Sequence, residues 1–258
     1  MKRLRSQIGK VFRVFFTGSA FLLFWTGGAL LSWIAIPALT FLYRRDPVLA
    51  QRRCRQLMCS SFRFHVRYMQ LCRLIDYDAK SIEAQLPRGP FVLIANHPTL
   101  IDVVLLLASY PSICCVAKAE IFESPLVGSM LRACGHINAG AGTLFDGVSV
   151  MDGAVARLQA GDPVLIFPEG TRSPWLSVGR FRAGAFVIAS RAQVPVVPVS
   201  IRARPPGLMK GMSWYTVPDS TIRYEVSVLP ALDPPTTERG AKVSATAARA
   251  LIEARVSS

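Results

Sequence analysis

The stretch Phe91-Val92-Leu93-Ile94-Ala95, running straight into Asn96-His97-Pro98-Thr99-Leu100-Ile101-Asp102, carries most of what this chain says about its fold. An unbroken apolar run of strand length reads as a strand buried on both faces, and this one empties into a polar turn. The pattern recurs where Val164-Leu165-Ile166-Phe167 runs into Pro168-Glu169-Gly170-Thr171-Arg172-Ser173. In open α/β sheets ligands bind beyond the carboxyl ends of such strands, so chemistry is expected at these two turns. If the strands are sheet neighbours, a base from one turn and a cation from the other share a single crevice.

Outward from these strands the pattern alternates. Helices are predicted over residues 100–109, 126–133, 184–192 and 237–256, and strands over 113–117, 136–137 and 194–201. Val148, Met151, Val155 and Leu158 recur at helical spacing before Gly161, and Val243, Ala247, Ala250, Leu251 and Ala254 share a face of the last helix. Ile222, Tyr224, Val226 and Val228 alternate with Arg223, Glu225 and Ser227 as a half-exposed strand. The fold class is therefore α/β: a central mixed, largely parallel sheet covered by helices. A chain of 258 residues suffices for one such domain plus an appendage.

The appendage is N-terminal. Hydrophobic residues make up 51% of the chain and charged ones 18%, and the skew comes from residues 14–43, which contain no charge. Lys2, Arg3, Arg5, Lys10 and Arg13 precede this segment and Arg44-Arg45 follow it. As one straight helix it would be about 45 Å long against a hydrocarbon core of about 30 Å. Gly27-Gly28 and Pro37 offer breaks, and positive charge at both ends fits both being cytoplasmic. The reading favoured is a membrane-associated helical hairpin over residues 1–45, with a tilted single span as the alternative. Asp46-Pro47 then starts a basic amphipathic helix within 46–80, reaching about Ile75, with Leu57, Ser61, Phe64, Tyr68, Leu71 and Ile75 on one stripe. A core-packed helix with a solvated basic side is the competing reading. Residues 81–258 form the α/β domain.

Lys and Arg total 30 against 16 Asp and Glu, a net charge of +14, which points to anionic partners. With an apolar segment present and no helix-turn-helix, zinc-finger or ribonucleoprotein motif, membrane lipid is favoured and nucleic acid is not. The six cysteines form no C-x-x-C pair and read as reduced, buried thiols, with no disulfide framework and no metal site. The expected location is the cytoplasmic face of the inner membrane.

Of three histidines, His97 has an acid, Asp102, five residues on. An imidazole near neutrality can remove a hydroxyl proton while a carboxylate on its other nitrogen fixes tautomer and orientation. A hydrogen-bonded structural histidine has the same spacing; position after a buried strand, at a helix start that favours anions, is what points to chemistry. No G-x-S-x-G elbow, glycine-rich lysine loop or paired metal-binding histidines suggest another catalyst.

Asn96-His97-Pro98-Thr99-Leu100-Ile101-Asp102 resembles the first motif of the glycerolipid acyltransferase family, which includes PlsC-type 1-acylglycerol-3-phosphate acyltransferases. Phe167-Pro168-Glu169-Gly170-Thr171-Arg172-Ser173 resembles its third, Val194-Pro195-Val196-Val197-Pro198-Val199 its fourth, and Lys118-Ala119-Glu120 its lysine-containing stretch. The resemblance implies transfer of a fatty acyl group from an acyl carrier protein or coenzyme A thioester to a hydroxyl of a lysolipid, with the thioester as substrate and no cofactor or metal. It implies that His97 is the base and Asp102 its orienter. Lys118, Glu169, Gly170, Thr171 and Arg172 would bind the acceptor, Arg172 gripping phosphate and Glu169 shaping the turn. Arg180 and Arg182 are lesser candidates for the donor's phosphates or carrier.

One departure bears on the acceptor. The family's second motif carries an arginine shortly after a glycine, whereas this chain has Gly135-His136-Ile137-Asn138-Ala139-Gly140. That arginine helps hold glycerol phosphate, so a lysolipid with another headgroup, such as an amino-acid lipid, stays open. His136 reads as a structural histidine or a substitute polar contact. A non-catalytic lipid-binding protein is the reading from a different class; retention of both His97 and Asp102 speaks against it.

Overall fold

A computed structural model describes residues 2–140 and 148–257, with side chains from residue 9 onward. The side chains of Lys2, Arg3 and Arg5, part of the expected basic start, lie outside the described residues. Among the described residues seven strands form one sheet: β1 (Ile75–Asp76), β2 (Val92–Ala95), β3 (Cys114–Ala117), β4 (Ile137–Asn138), β5 (Val164–Ile166), β6 (Val196–Arg204) and β7 (Ile222–Val228). Their order across the sheet is β1-β7-β6-β2-β5-β3-β4, and every neighbouring pair is parallel except β6 with β7. The fold is thus the expected mixed, mostly parallel sheet wrapped by helices. The two strands that run into the polar turns are direct neighbours, with Val92 opposite Val164 and Ile94 opposite Ile166. Both turns therefore leave the same edge of the sheet side by side.

Successive residues of β2 and β5 serve opposite cores, as strand geometry requires. Leu93, Ala95 and Leu165 join Met58, Phe62 and Leu105 on one face, while Val92, Ile94, Val164 and Ile166 join Val150, Phe186 and Ile252 on the other. The first face is covered by α3 (Pro47–Leu71), α4 (Ala79–Gln85), α5 (Asp102–Ser109), α6 (Ala119–Phe122) and α7 (Gly128–Ala133). The second is covered by α8 (Val148–Gln159), α9 (Gly184–Ala192) and α10 (Glu238–Ser257). All six cysteines are free, and Cys72 alone is not fully buried.

The N-terminal segment corrects the hairpin expectation. It is one long helical run, α1 (Lys2–Leu30), a π-helical turn at Leu31–Ala35, and α2 (Ile36–Leu42). The helix passes through Gly27 and Gly28 unbroken, and a side chain on Gly28 would meet Val127 Cγ1 at 2.9 Å, so that glycine serves close packing instead of a turn. Pro37 lies in the first turn of α2, where the π turn absorbs its missing N–H. Reversal comes only at Tyr43–Asp46, whose last residue caps α3 through Leu49 N–H at 2.9 Å. Residues Gly9–Leu42 are, by length and composition, apolar enough to cross a membrane.

The faces of two helices also differ from expectation. In α3 the buried stripe is Cys54, Met58, Phe62, His65 and Met69, one step around from the stripe read from sequence, and Phe64 and Leu71 are exposed. Arg55 is buried too, paired with Asp162 at 2.7 Å. The helix ends at Leu71 and not near Ile75, because Arg73 adopts a left-handed conformation that turns the chain into β1. In α10 the buried face is Ala241, Ala245, Ala248, Ile252 and Val256, leaving Val243 exposed. Its alanines fit either face; the two larger residues near the end decide which one packs.

Candidate active site

The turn after β2 delivers an imidazole onto a locked carboxylate. His97 Nδ1 lies 2.7 Å from Asp102 Oδ2, and Asp102, the first residue of α5, is fully buried. Thr99 holds that carboxylate with its backbone N–H, 2.7 Å from Oδ2, and with its hydroxyl on Oδ1. The Thr99 hydroxyl in turn accepts from Tyr224 OH at 3.1 Å, so β7 buttresses the acid from behind. With its carboxylate fully engaged, Asp102 has no freedom to turn away from the ring. Phe167, just past the end of β5, lies against His97 with ring centroids 4.4 Å apart and the rings tilted by 30°.

The turn after β5 is bolted to the first. Glu169 is buried and its carboxylate accepts from His97 N–H (3.2 Å), the Ser173 hydroxyl and Gly179 N–H (2.8 Å), while Ser173 N–H returns a bond to His97 O at 2.7 Å. The expected turn-shaping part of Glu169 is visible in these bonds, all of them to the protein. A methyl on Gly179 would meet Glu169 Oε2 at 2.5 Å, so the carboxylate needs glycine opposite it. Gly170 has φ 70°, the left-handed conformation that turns Thr171 and Arg172 toward the opening. Gly170 N–H is bonded to Phe167 O, whereas Thr171 and Arg172 N–H have no partner among the described residues.

Beside His97 opens a cavity of about 750 Å³. Its walls are mainly apolar, supplied by α1, α3 and α5 through residues such as Phe21, Phe24, Phe62, Met69, Val104 and Leu107. Lys118, Arg172 and Lys210 line it together with His97, Gly170 and Thr171. Lys118 is exposed and forms no ion pair among the described residues; the pairing with Glu120 that sequence allows is not made. Arg172 is half-buried with Nη1 3.4 Å from Leu208 O, and Lys210 Nζ donates to Thr171 Oγ1 at 3.1 Å. Arg180 and Arg182 are exposed and outside the cavity wall.

Residues 78–202 match the family model described as Acyltransferase. The segment similar to this family makes up just under half of the chain. The chain is 32% identical over 146 residues to 1-acyl-sn-glycerol-3-phosphate acyltransferase alpha of Mus musculus, covering 56% of this chain and 50% of that one. It is 34% identical over 113 residues to the 1-acyl-sn-glycerol-3-phosphate acyltransferase of Helicobacter pylori, covering 43% and 48%, and 32% identical over 112 residues to the chloroplastic BAT2 enzyme of Brassica napus, covering 43% and 33%. The matched stretches thus span a third to a half of these relatives' lengths. The crystal structure of the 1-acyl-sn-glycerophosphate acyltransferase PlsC from Thermotoga maritima shares the fold, with a TM-score of 0.65 at 20% identity over 99% of this chain and 96% of that one.

The stretch that lacks the second-motif arginine is structurally committed. His136 is buried, its Nδ1 accepts from Cys115 N–H at 2.8 Å and its Nε2 faces Met58 Sδ at 3.4 Å. Burial, with Arg55 and Arg157 nearby, lowers its pKa to about 3. It is a neutral structural histidine at the inner end of the cavity. Sequence reading missed Lys210, which arrives on the loop after β6, and Tyr224, whose hydroxyl position depends on the antiparallel register of β7. Ser173 was legible as part of the motif but not as the link between the two turns.

Proposed function

We propose that this chain is a membrane-associated O-acyltransferase that moves a fatty acyl group from an acyl carrier protein or coenzyme A thioester to a hydroxyl of a lysophospholipid such as 1-acyl-glycerol-3-phosphate. The observation that carries this reading is the imidazole of His97, pinned to buried Asp102 and opening on an apolar cavity rimmed by Lys118, Arg172 and Lys210. Asp102 accepts from Nδ1–H, which fixes the tautomer and leaves the Nε2 lone pair for the acceptor hydroxyl proton. The alkoxide attacks the thioester carbon directly, the tetrahedral oxyanion forms, and the thiolate leaves and takes the proton from the imidazolium. Thr171 and Arg172 N–H groups suit the oxyanion, since they lie at the cavity edge with no partner among the described residues. The Arg172 guanidinium and the Lys118 and Lys210 ammonium groups hold the anionic headgroup, the first by paired hydrogen bonds and the others as point charges.

The apolar helix and the excess of positive charge support membrane association, and we place the site at the cytoplasmic face of the inner membrane. An acceptor with a different headgroup is the second reading, favoured by the missing second-motif arginine. Both are read from one experiment. Purified protein in anionic lipid, given an acyl thioester and a panel of lysolipids, is expected to release free thiol only when an acceptor hydroxyl is present, and the best acceptor identifies the headgroup. Equal thiol release without acceptor would make the chain a thioesterase. Arg172→Ala is expected to raise KM for an anionic acceptor about tenfold or more while sparing use of an uncharged one; equal effects on both would remove its anchoring part.

A further inference from the structure

The cavity beside His97 is walled mainly for hydrocarbon, yet two buried polar side chains on its wall, His65 and Thr17, have no hydrogen-bond partner among the described residues. His65 on α3 is 7% exposed, lines the cavity, and neither ring nitrogen has a hydrogen-bond partner among the described residues. Phe24 lies against it with centroids 5.6 Å apart and offers no hydrogen-bonding atom of its own. Burial lowers the pKa of His65 to about 4, so at neutral pH the ring is uncharged and presents one donor and one acceptor. Thr17 on α1, which packs on α3, is also 7% exposed and lines the same cavity, and its hydroxyl has no partner among the described residues. Helix hydroxyls ordinarily bond a carbonyl of the preceding turn, as Thr26 does to Leu22 O and Ser19 to Phe16 O. Thr17 makes no such bond.

Buried polar groups are rarely left unpaired, because each lost bond in a dry site is costly. A plain methylene chain filling this cavity would leave both groups unpaired. We propose that the cavity takes an acyl chain bearing a hydroxyl group, selected by His65 and Thr17. A hydroxyl both donates and accepts, which matches a neutral imidazole and a threonine hydroxyl on the wall of one cavity. The inference rests on the proposed acyl transfer, and the chain in question is either that of the thioester donor or the one already on the lysolipid.

Paired assays separate these sources. In one arm plain and hydroxylated acyl thioesters of equal length, with the hydroxyl near the carbonyl or at mid-chain, are offered with a plain lysolipid. In the other a plain thioester is offered with lysolipids whose own chain is plain or hydroxylated. In one arm kcat/KM is expected to favour the hydroxylated chain by about tenfold or more, since a site built to bond a hydroxyl rejects the analogue without it. His65→Phe and Thr17→Val should each move that ratio toward unity, and His65→Gln, which keeps a donor and an acceptor, should preserve part of it. Equal kcat/KM in both arms, or a ratio that neither His65→Phe nor Thr17→Val alters, overturns the assignment. If no pairing of thioester and lysolipid turns over, the acyl-transfer reading has failed. The cavity is then read by displacement of a fluorescent fatty acid: tighter binding of hydroxylated than plain fatty acids upholds the selection, and equal binding ends it.

Discussion

Replacing Asp102 by asparagine keeps the shape of the residue that three donors surround and removes the charge they share. Thr99 N–H, the Thr99 hydroxyl and His97 Nδ1 all approach its carboxylate. An amide there must place its NH2 against one of them, and the imidazole can relieve the conflict by moving its proton to Nε2, where a base needs a lone pair. Asp102→Asn is therefore expected to lower kcat about a thousandfold or more with little change in KM for the lysolipid; a kcat within tenfold of wild type would mean the tautomer is set elsewhere. Glu169→Gln tests the bolt between the turns. Its amide would confront Gly179 N–H or His97 N–H, leaving a buried donor unpaired at a cost of about 1–3 kcal/mol, visible as a lower thermal midpoint. His97, Asp102 and Arg172 were legible in the sequence because each follows directly from a strand that announces its own burial. Lys210 and Tyr224 were not, because they reach the site through a loop excursion and a strand register that only the assembled sheet defines.

At the scale of elements, a buried ion pair ties α3 to the turn between α8 and β5. Arg55 Nη1 and Nη2 bond the two carboxylate oxygens of Asp162 at 2.7 and 2.9 Å, with Arg157 a further 3.9 Å neighbour of the same acid. Arg55→Met removes the main partner of a buried charge and is expected to destabilise the fold by about 3 kcal/mol, measured as a drop in thermal midpoint in detergent. A second change, Asp162→Leu, should recover most of the loss; no recovery would show that Arg55 acts through its packing instead. Element existence was largely legible: β2, β3, β5, β7, α8 and α9 fall where periodicity puts them. Facing was less so, because the stripe chosen on α3 grouped the aromatic Phe64 with Leu57, whereas burial follows the cysteine and methionine positions Cys54, Met58 and Met69. The short β1 and α4 were missed because nothing in the sequence marks Arg73 as the left-handed stop that separates them from α3.

At the scale of the whole molecule, two buried histidines make stability sensitive to acid. His65 and His136 have pKa values lowered to about 4 and about 3, so the folded chain holds them neutral while the unfolded chain protonates them near 6.5. Below that value the unfolded state binds more protons, and each group subtracts about 1.4 kcal/mol of stability per pH unit until its own folded pKa is reached. Stability is expected to be full above about pH 6.5 and to fall steadily below it, and His65→Phe should flatten that fall in thermal scans between neutral pH and pH 5. An unchanged slope would mean that His65 is hydrated in the folded state. The same interior that keeps these rings neutral lines the cavity beside the apolar N-terminal helix, so an apolar wall, the cations Lys118, Arg172 and Lys210, and the imidazole of His97 meet around one space. Membrane character was legible from the uncharged stretch, but its shape was not, since a glycine pair can either break a helix or let another residue approach it closely. The most direct measurement is lysolipid-dependent thiol release by His97→Ala protein whose thermal midpoint matches wild type. The structure predicts a loss of about a hundredfold to ten-thousandfold in kcat, whereas turnover at the wild-type rate would contradict the assignment of His97 as the base.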